Sequence, residues 1–248
     1  MRSTVALILC IFYLNSPAQV TKYANVVYTA YFSKEYHEPL YVVYDLFQGG
    51  GDCDRSQFHF KNGDCEGCGT YQDYEGSGYD RGHLCNAEDE AFDCDREELA
   101  FRYYNCVPQA RRLNRGIWKK WETKIRMESQ EENLTIICGS IFGNTVIGGI
   151  AVPDYCWKLV YDSYGGLRYC LLFPNDGSGI VQQIELSDLL SILGYSLDCD
   201  KCPVAFFNPG INTVALEAIS MHMRHIFRAM HALLTAGIVT NPPISKEF

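Results

Sequence analysis

The sequence predicts an α+β domain stabilised by disulfides, and three observations predict it. Short runs rich in Val and Tyr, separated by turns, read as paired strands. Between them lies a run with apolar residues every fourth position, which reads as a helix. Twelve cysteines accompany an N-terminus suited to export. The chain has 248 residues, 47% of them hydrophobic, which is enough for one large domain with a proper core. That composition excludes a disordered or collagen-like chain.

The first residues point to a compartment. Met1-Arg2 is a short basic start, Val5 to Leu14 is apolar, and Asn15-Ser16-Pro17-Ala18 ends in small residues. This reads as a signal peptide over residues 1–18, too short to span a bilayer stably. No later run is long and apolar enough for a transmembrane helix, so an extracellular, secreted protein is expected. Cys10 would leave with the signal, and eleven cysteines would remain. Most should pair as disulfides, and the odd number leaves one free or pairing between chains. Cys65/Cys68 and Cys199/Cys202 have zinc-like C-x-x-C spacing, but disulfides are preferred in an exported chain.

Val26-Val27-Tyr28 and Leu40-Tyr41-Val42-Val43-Tyr44 read as two strands around the polar turn Ser33 to Pro39, where His37 is an exposed turn residue. Gln48 to Tyr74 is rich in Gly, Asp and Cys and reads as a long loop held by disulfides. Glu88 to Glu98 is acidic. It lacks the central Gly and spacing of a calcium loop. Asp95 and Glu98 resemble a capping box that opens a helix running to Tyr103 or Tyr104, with most of these acids solvated.

The next run reverses the charge. The chain is acidic, with a net charge of −9, or about −10 once Arg2 leaves with the signal. Yet residues 111–126 hold Arg111, Arg112, Arg115, Lys119, Lys120, Lys124 and Arg126, with Glu122 as the only acid. A polyanion is expected there. From Asn114 onward this run reads as a helix. Ile117, Trp121 and Ile125 make its core stripe, and Asn114, Trp118, Glu122 and Arg126 make the neighbouring edge.

Further strands are expected at Leu134 to Cys138, Val152 to Tyr161 and Leu167 to Phe173, the last two joined at Gly165-Gly166. Asn133-Leu134-Thr135 is a glycosylation sequon. Ile184 to Leu193 reads as a short helix. Beyond Cys202, Leu216, Ile219, Met223, Ile226, Phe227, Met230, Leu233 and Leu234 recur at helical period. His222 and His225 lie at i, i+3 on that helix, but no third metal ligand is evident.

Chemistry concentrates at Tyr79-Asp80-Arg81-Gly82-His83-Leu84. A His between Gly and a nearby Arg would be neutral near pH 7 and able to accept a proton from water. Arg81 can hold a phosphate oxygen bidentately. Asp80 can pair with a basic partner or position the turn. Asn114 offers a hard amide oxygen to a magnesium ion that keeps most of its waters, and Glu122 can hold such waters. Together these groups suffice for metal-assisted phosphodiester hydrolysis.

Three stretches in this order and spacing carry a family resemblance: Tyr74 to Leu84, Asn105-Cys106-Val107-Pro108-Gln109, and Asn114-Arg115-Gly116-Ile117-Trp118 through Glu122. The chain resembles the DNA/RNA non-specific endonuclease family, the ββα-metal (His-Me finger) nucleases. Weaker matches are Leu40 to Tyr44, Cys138-Gly139-Ser140-Ile141-Phe142 and Val152 to Lys158. The resemblance spans roughly Val26 to Asp198.

The resemblance implies an endonuclease domain at 24–202, followed by a C-terminal amphipathic helical extension at 203–248. It implies a ββα-metal fold, with a central antiparallel sheet and helices on both faces. It also implies cleavage of DNA and RNA to 5′ phosphates, with magnesium as cofactor and manganese as a substitute. His83 matches the general base and Asn114 the direct metal ligand. Glu122 matches the acid that orients metal-bound water, and Asn105 an active-site Asn that orients the His loop. Arg81 and Arg126 match phosphate-contacting arginines, and Arg55 aligns loosely with a further transition-state arginine. Cys85-Asn86 stands where the family has Ala-Pro, Trp121 where it has Leu, and Tyr104 where it has a small residue. A disulfide at Cys85 would stiffen the His loop. The alternatives are a nuclease-fold binding protein without turnover and an interaction protein acting through its C-terminal helix.

Overall fold

A computed structural model describes residues 20–193 and 195–197. The expected signal peptide, the C-terminal extension with His222 and His225, and Cys199 and Cys202 lie outside the described residues. Seven antiparallel strands form the main sheet: β1 (Val20–Ala24), β2 (Tyr28–Ser33), β3 (Glu38–Leu46), β6 (Leu134–Ile147), β7 (Ile150–Tyr161), β8 (Leu167–Pro174) and β9 (Gln182–Gln183). They lie side by side in chain order, β3 pairing directly with β6. The chain between β3 and β6 makes a separate hairpin, β4 (Tyr79–His83) with β5 (Cys106–Ala110). The helices are α1 (Tyr71–Tyr74), α2 (Cys94–Ala100), α3 (Lys119–Glu128) and α4 (Leu186–Leu193).

The N-terminal strand pair becomes three strands. Val26 and Val27 fall in the turn after β1, because the Asn25 side-chain oxygen accepts from the Val27 and Tyr28 amides at 2.8 and 3.0 Å. Edge strand β1 is mostly exposed, so it carries little of the apolar signal that marks β2 and β3. The strands expected at Val152 to Tyr161 and Leu167 to Phe173 and the helix α4 are present. Strand β6 is longer than Leu134 to Cys138 because it runs on through Ile147, while β4, β5 and β9 are not read as strands from the sequence.

Both faces of the sheet are covered, as the consecutive buried residues Trp157 to Tyr161 of β7 require, since successive side chains point to opposite faces. On one face Trp118, just before α3, packs edge-on against Phe173 at 5.1 Å. On the other, Tyr195, just after α4, stacks on Tyr41 at 5.8 Å, and Tyr41 in turn meets Trp157. Gly139 makes this meeting possible. A Cβ there would come within 2.2 Å of the Leu40 carbonyl and 2.7 Å of the Trp157 ring.

Three expectations are corrected here. Among the described residues fewer cysteines pair than expected: Cys53–Cys94 and Cys65–Cys68 are bonded, while Cys85, Cys106, Cys138, Cys156 and Cys170 are buried free thiols. These five sit inside packed layers as small hydrophobes. No disulfide forms at Cys85, whereas Cys65–Cys68 is the disulfide preferred there over zinc. Second, Asp93 rather than Asp95 caps α2, accepting from the amides of Asp95 and Arg96. That helix ends at Ala100, and Tyr103–Asn105 is a separate 3-10 turn. Asp89, Glu90 and Glu97 are buried, not solvated. Third, the helix from Asn114 is interrupted. Leu113–Trp118 is a wide, π-type segment kinked at Gly116 (φ −112°, ψ −111°), and regular α-helix starts at Lys119.

Candidate active site

The hairpin β4–β5, the kinked segment and α3 enclose one side of an open cavity of about 960 Å³. It brings together His83, Arg81, Asn114, Glu122, Arg126 and Arg55, six of the seven residues singled out from the sequence. Asn105 is the exception. It is fully buried and off the cavity wall. Its side-chain oxygen accepts from the Cys85 amide at 2.8 Å. Its nitrogen donates to the carbonyls of Cys85 and Ala100 at 2.9 and 2.8 Å. Asn105 therefore clamps the chain just after His83 and touches no reacting group.

His83 ends β4, at 9% exposure, with its ring between Phe60 (4.8 Å) and the edge of Phe101 (4.9 Å). Its Nε2 is buried and has no hydrogen-bond partner. Burial, and then the charges of Arg55 and Arg81, push its pKa down to about 3. The imidazole is thus neutral and can accept a proton. The preceding Gly82 is required by close approach: a Cβ there would lie 2.1 Å from Gln109 Oε1.

Asp80, also on β4, organises the opposite wall. It accepts Arg115 Nε and Nη2 at 2.7 Å each and Asn114 Nδ2 at 3.0 Å. Burial raises its carboxyl. The hydrogen bonds of Arg115 and Asn114 and the charges of Arg115 and Arg111 outweigh that and hold it below the usual range. Because the Asn114 nitrogen is engaged, its amide oxygen is the atom left for a cation.

Glu122 lies one turn into α3. Burial, abetted by the charge of Asp89, pushes it up to about 7 against the pull of Lys158 and Arg126. Arg126, one turn further, donates to Asp89 Oδ1 at 2.9 Å. Burial likewise raises Asp89 to about 6, while Arg126, Lys158 and the Tyr44 hydroxyl oppose the rise. Arg55 sits in a 3-10 turn over the Phe101 ring, in a loop tied to α2 by Cys53–Cys94. Arg81 is flanked by the rings of Phe60, Tyr71 and Tyr74 at 5.5 to 6.0 Å.

Among the described residues, no group of three His, Cys, Asp or Glu side chains could hold a metal ion. Magnesium needs no such cluster, because it keeps several waters and takes one or two protein oxygens. The free oxygen of Asn114 and the recessed carboxylate of Glu122, which a nearby dication would ionise, fit such an ion. Asp89, Lys158, Phe60 and Phe101 were not read as site residues from the sequence. The acids around Asp89 read as solvated, and Lys158 reads only as part of a strand and of the weaker match Val152 to Lys158.

A hairpin ending in a histidine and followed by a helix bearing an acid, with an amide oxygen at the junction, defines a ββα-metal nuclease fold. The chain belongs to the DNA/RNA non-specific endonuclease family, a family of metal-dependent nucleases, whose profile matches residues 12–200. It is 34% identical over 148 residues to a nuclease of Nostoc sp., covering 52% of this chain and 54% of that protein. It is 30% identical over 135 residues to human mitochondrial endonuclease G, covering 47% and 46%. To the mitochondrial nuclease EXOG of Xenopus laevis it is 29% identical over 161 residues, covering 53% and 45%. The chain spans about half the length of these curated relatives. In fold it is similar to a chain in the crystal structure of the EndoG/EndoGI complex. The TM-score there is 0.63 at 21% identity, covering 72% of this chain and 86% of the other. No helix among the described residues is long and apolar enough to cross a membrane.

Proposed function

We propose that the protein is a secreted endonuclease that hydrolyses phosphodiester bonds of DNA and RNA without sequence preference, assisted by one magnesium ion. The observation that supports this most is the company His83 keeps. A neutral ring with an unpartnered buried nitrogen shares a cavity with Asn114, Glu122 and six basic side chains, in a chain of net charge −9. The basic groups are Arg55, Arg81, Arg111, Arg115, Lys119 and Arg126. They read phosphate and not bases, so no sequence preference is expected.

In this reading Arg81, Arg55 and Arg126 hold the scissile phosphate. Its negative charge offsets the two cations that depress His83, which makes the ring a better base once substrate is bound. His83 takes a proton from the attacking water. The phosphorus–O3′ bond breaks, leaving a 5′ phosphate and a 3′ hydroxyl protonated from solvent. Asn114 and Glu122 would hold the magnesium ion, which supplies charge to stabilise the transition state and the leaving oxygen. Manganese, with similar ligand preferences, should substitute. Export accounts for the disulfides Cys53–Cys94 and Cys65–Cys68, and the sequon residue Asn133 is exposed.

The test is digestion of plasmid DNA and of RNA by the secreted, oxidised protein, with magnesium or chelator, for wild type and His83→Ala. Cleavage of both substrates that needs the metal and falls about 10²- to 10⁴-fold in the variant is expected. A folded wild type that binds nucleic acid without cutting it would make the protein a nuclease-fold binder instead.

A further inference from the structure

Tyr71 opens α1 and is 53% exposed. Among the described residues it is the one exposed aromatic side chain on the cavity wall. Phe60, Tyr74, Tyr79 and Phe101 also line the cavity, but each is buried or half-buried. A single exposed ring on a protein surface needs no explanation. Three features set this one apart.

The ring is held in place. Asp73 accepts the Thr70 amide and hydroxyl at 2.8 and 2.7 Å, and the Cys65–Cys68 disulfide closes the chain just before them. Buried Tyr74 donates its hydroxyl to Glu38 Oε1 on β3 at 3.2 Å, which ties the other end of α1 to the sheet. The Tyr71 hydroxyl donates to Glu75 Oε1 at 3.2 Å. The ring also lies beside the phosphate-binding group, with its centroid 5.7 Å from the guanidinium carbon of Arg81. A nucleobase hangs one sugar away from its phosphate, so a ring at this distance is within reach of a nucleotide that Arg81 holds. The wall there is open as well. A Cβ at Gly76, which lines the same cavity, would have nothing within 4 Å. Phe60 and Phe101 are not available for the same task, because they pack against His83.

We propose that Tyr71 is a stacking platform for an unpaired nucleobase, that of a nucleotide adjoining the phosphate held by Arg81. The assignment of that phosphate rests on the proposed function above. Every base has a face that can stack on an aromatic ring, so the platform adds affinity without adding sequence preference. In a duplex the bases are already paired and stacked on one another, and reaching Tyr71 costs that stacking. The platform therefore favours single strands over duplexes.

Anisotropy titrations in chelator, where nothing is cut, test this with three probes: an oligothymidylate, an abasic strand of the same length, and a fully paired duplex. The first two carry the same phosphates and differ only in their bases. The full-length wild type should bind the oligothymidylate about 5- to 50-fold more tightly than the abasic strand. Tyr71→Ala should remove most of that difference, while its binding to the abasic strand and the duplex changes less than about twofold, since phosphate contacts dominate there. Tyr71→Phe should behave as wild type, because it keeps the ring and loses only the bond to Glu75. Tyr71→Leu, apolar but without a flat ring, should behave as Tyr71→Ala, and it decides the matter if the alanine variant does not fold. Equal weakening of all three probes by Tyr71→Ala and Tyr71→Leu would mean that the ring only supports Arg81, and would overturn the proposal. A wild type indifferent to the bases would overturn it too. A wild type that binds none of the probes would remove this inference and the proposed function together. A wild type that senses bases through Tyr71 but cleaves nothing in magnesium would leave the platform standing and remove only the catalytic reading.

Discussion

Asn114 donates its side-chain nitrogen to Asp80 Oδ2 at 3.0 Å, across the gap between the kinked segment and β4. The bond selects which end of the amide faces the cavity. Asp80 is itself held by Arg115 through two 2.7 Å hydrogen bonds, so the orientation of one neutral side chain rests on an ion pair behind it. Asp80→Ala should therefore act as a metal-affinity variant. The magnesium concentration for half-maximal cleavage should rise about 10- to 100-fold, with smaller loss at saturating metal. A metal titration of initial rates measures this.

His83 should make the protein acid-sensitive. Its folded pKa is about 3, while an unfolded histidine titrates near ~6.5. Between these values the unfolded chain binds a proton that the folded chain does not, so stability rises with pH across the window and is lost as pH falls below about 6.5. His83→Phe cannot titrate. Its melting temperature relative to wild type should climb as pH drops from ~7 to ~4, read by unfolding at a series of pH values.

Arg55 reaches the cavity from a loop, and in the proposed function it contacts phosphate only. Arg55→Ala should weaken DNA and RNA binding about equally. It should also reduce the slope of log affinity against log salt by about one. Anisotropy titrations of the two nucleic acids at several salt concentrations, in chelator, would show it. A loss confined to one sequence would contradict it.

The Cys53–Cys94 bond joins that loop to α2 across 41 residues. Replacing both cysteines with serine should cost about 2–4 kcal/mol of stability. Activity should fall further than that of Arg55→Ala at temperatures where the fold survives, because the loop also brings in Phe60, which lies against His83. Denaturant unfolding and initial rates on the same preparation separate the two effects.

The catalytic stretch was legible because its chemistry is local. Gly82-His83, Arg81, Asn114 and Glu122 lie within two short runs, and a hairpin followed by a helix brings those runs together with little help from the rest of the chain. The central strands were legible for the same reason, since period-2 and apolar runs are read within a few residues. What was misread depended on partners far away. Asp89 looked like one acid among seven until Tyr44 and Arg126 closed over it. Among the described residues cysteine pairing was over-counted because a thiol's fate depends on whether a second thiol faces it, and Cys138 instead donates to the Leu84 carbonyl at 2.8 Å.

By itself the sequence determined the α+β class, the basic run in an acidic chain, and the residue types a phosphodiesterase site needs. Tertiary structure decided which end of Asn114 faces the cavity, that Asn105 clamps the chain instead of lining the site, and that Lys158 packs against the Trp118 ring. These were not readable because they join residues 20 to 40 positions apart through packing. Burial also penalises a charge that has left water, which pushes Glu122 and Asp89 toward their neutral forms. A carboxylate or an ammonium has its ordinary character only until the fold removes its solvent and supplies a partner.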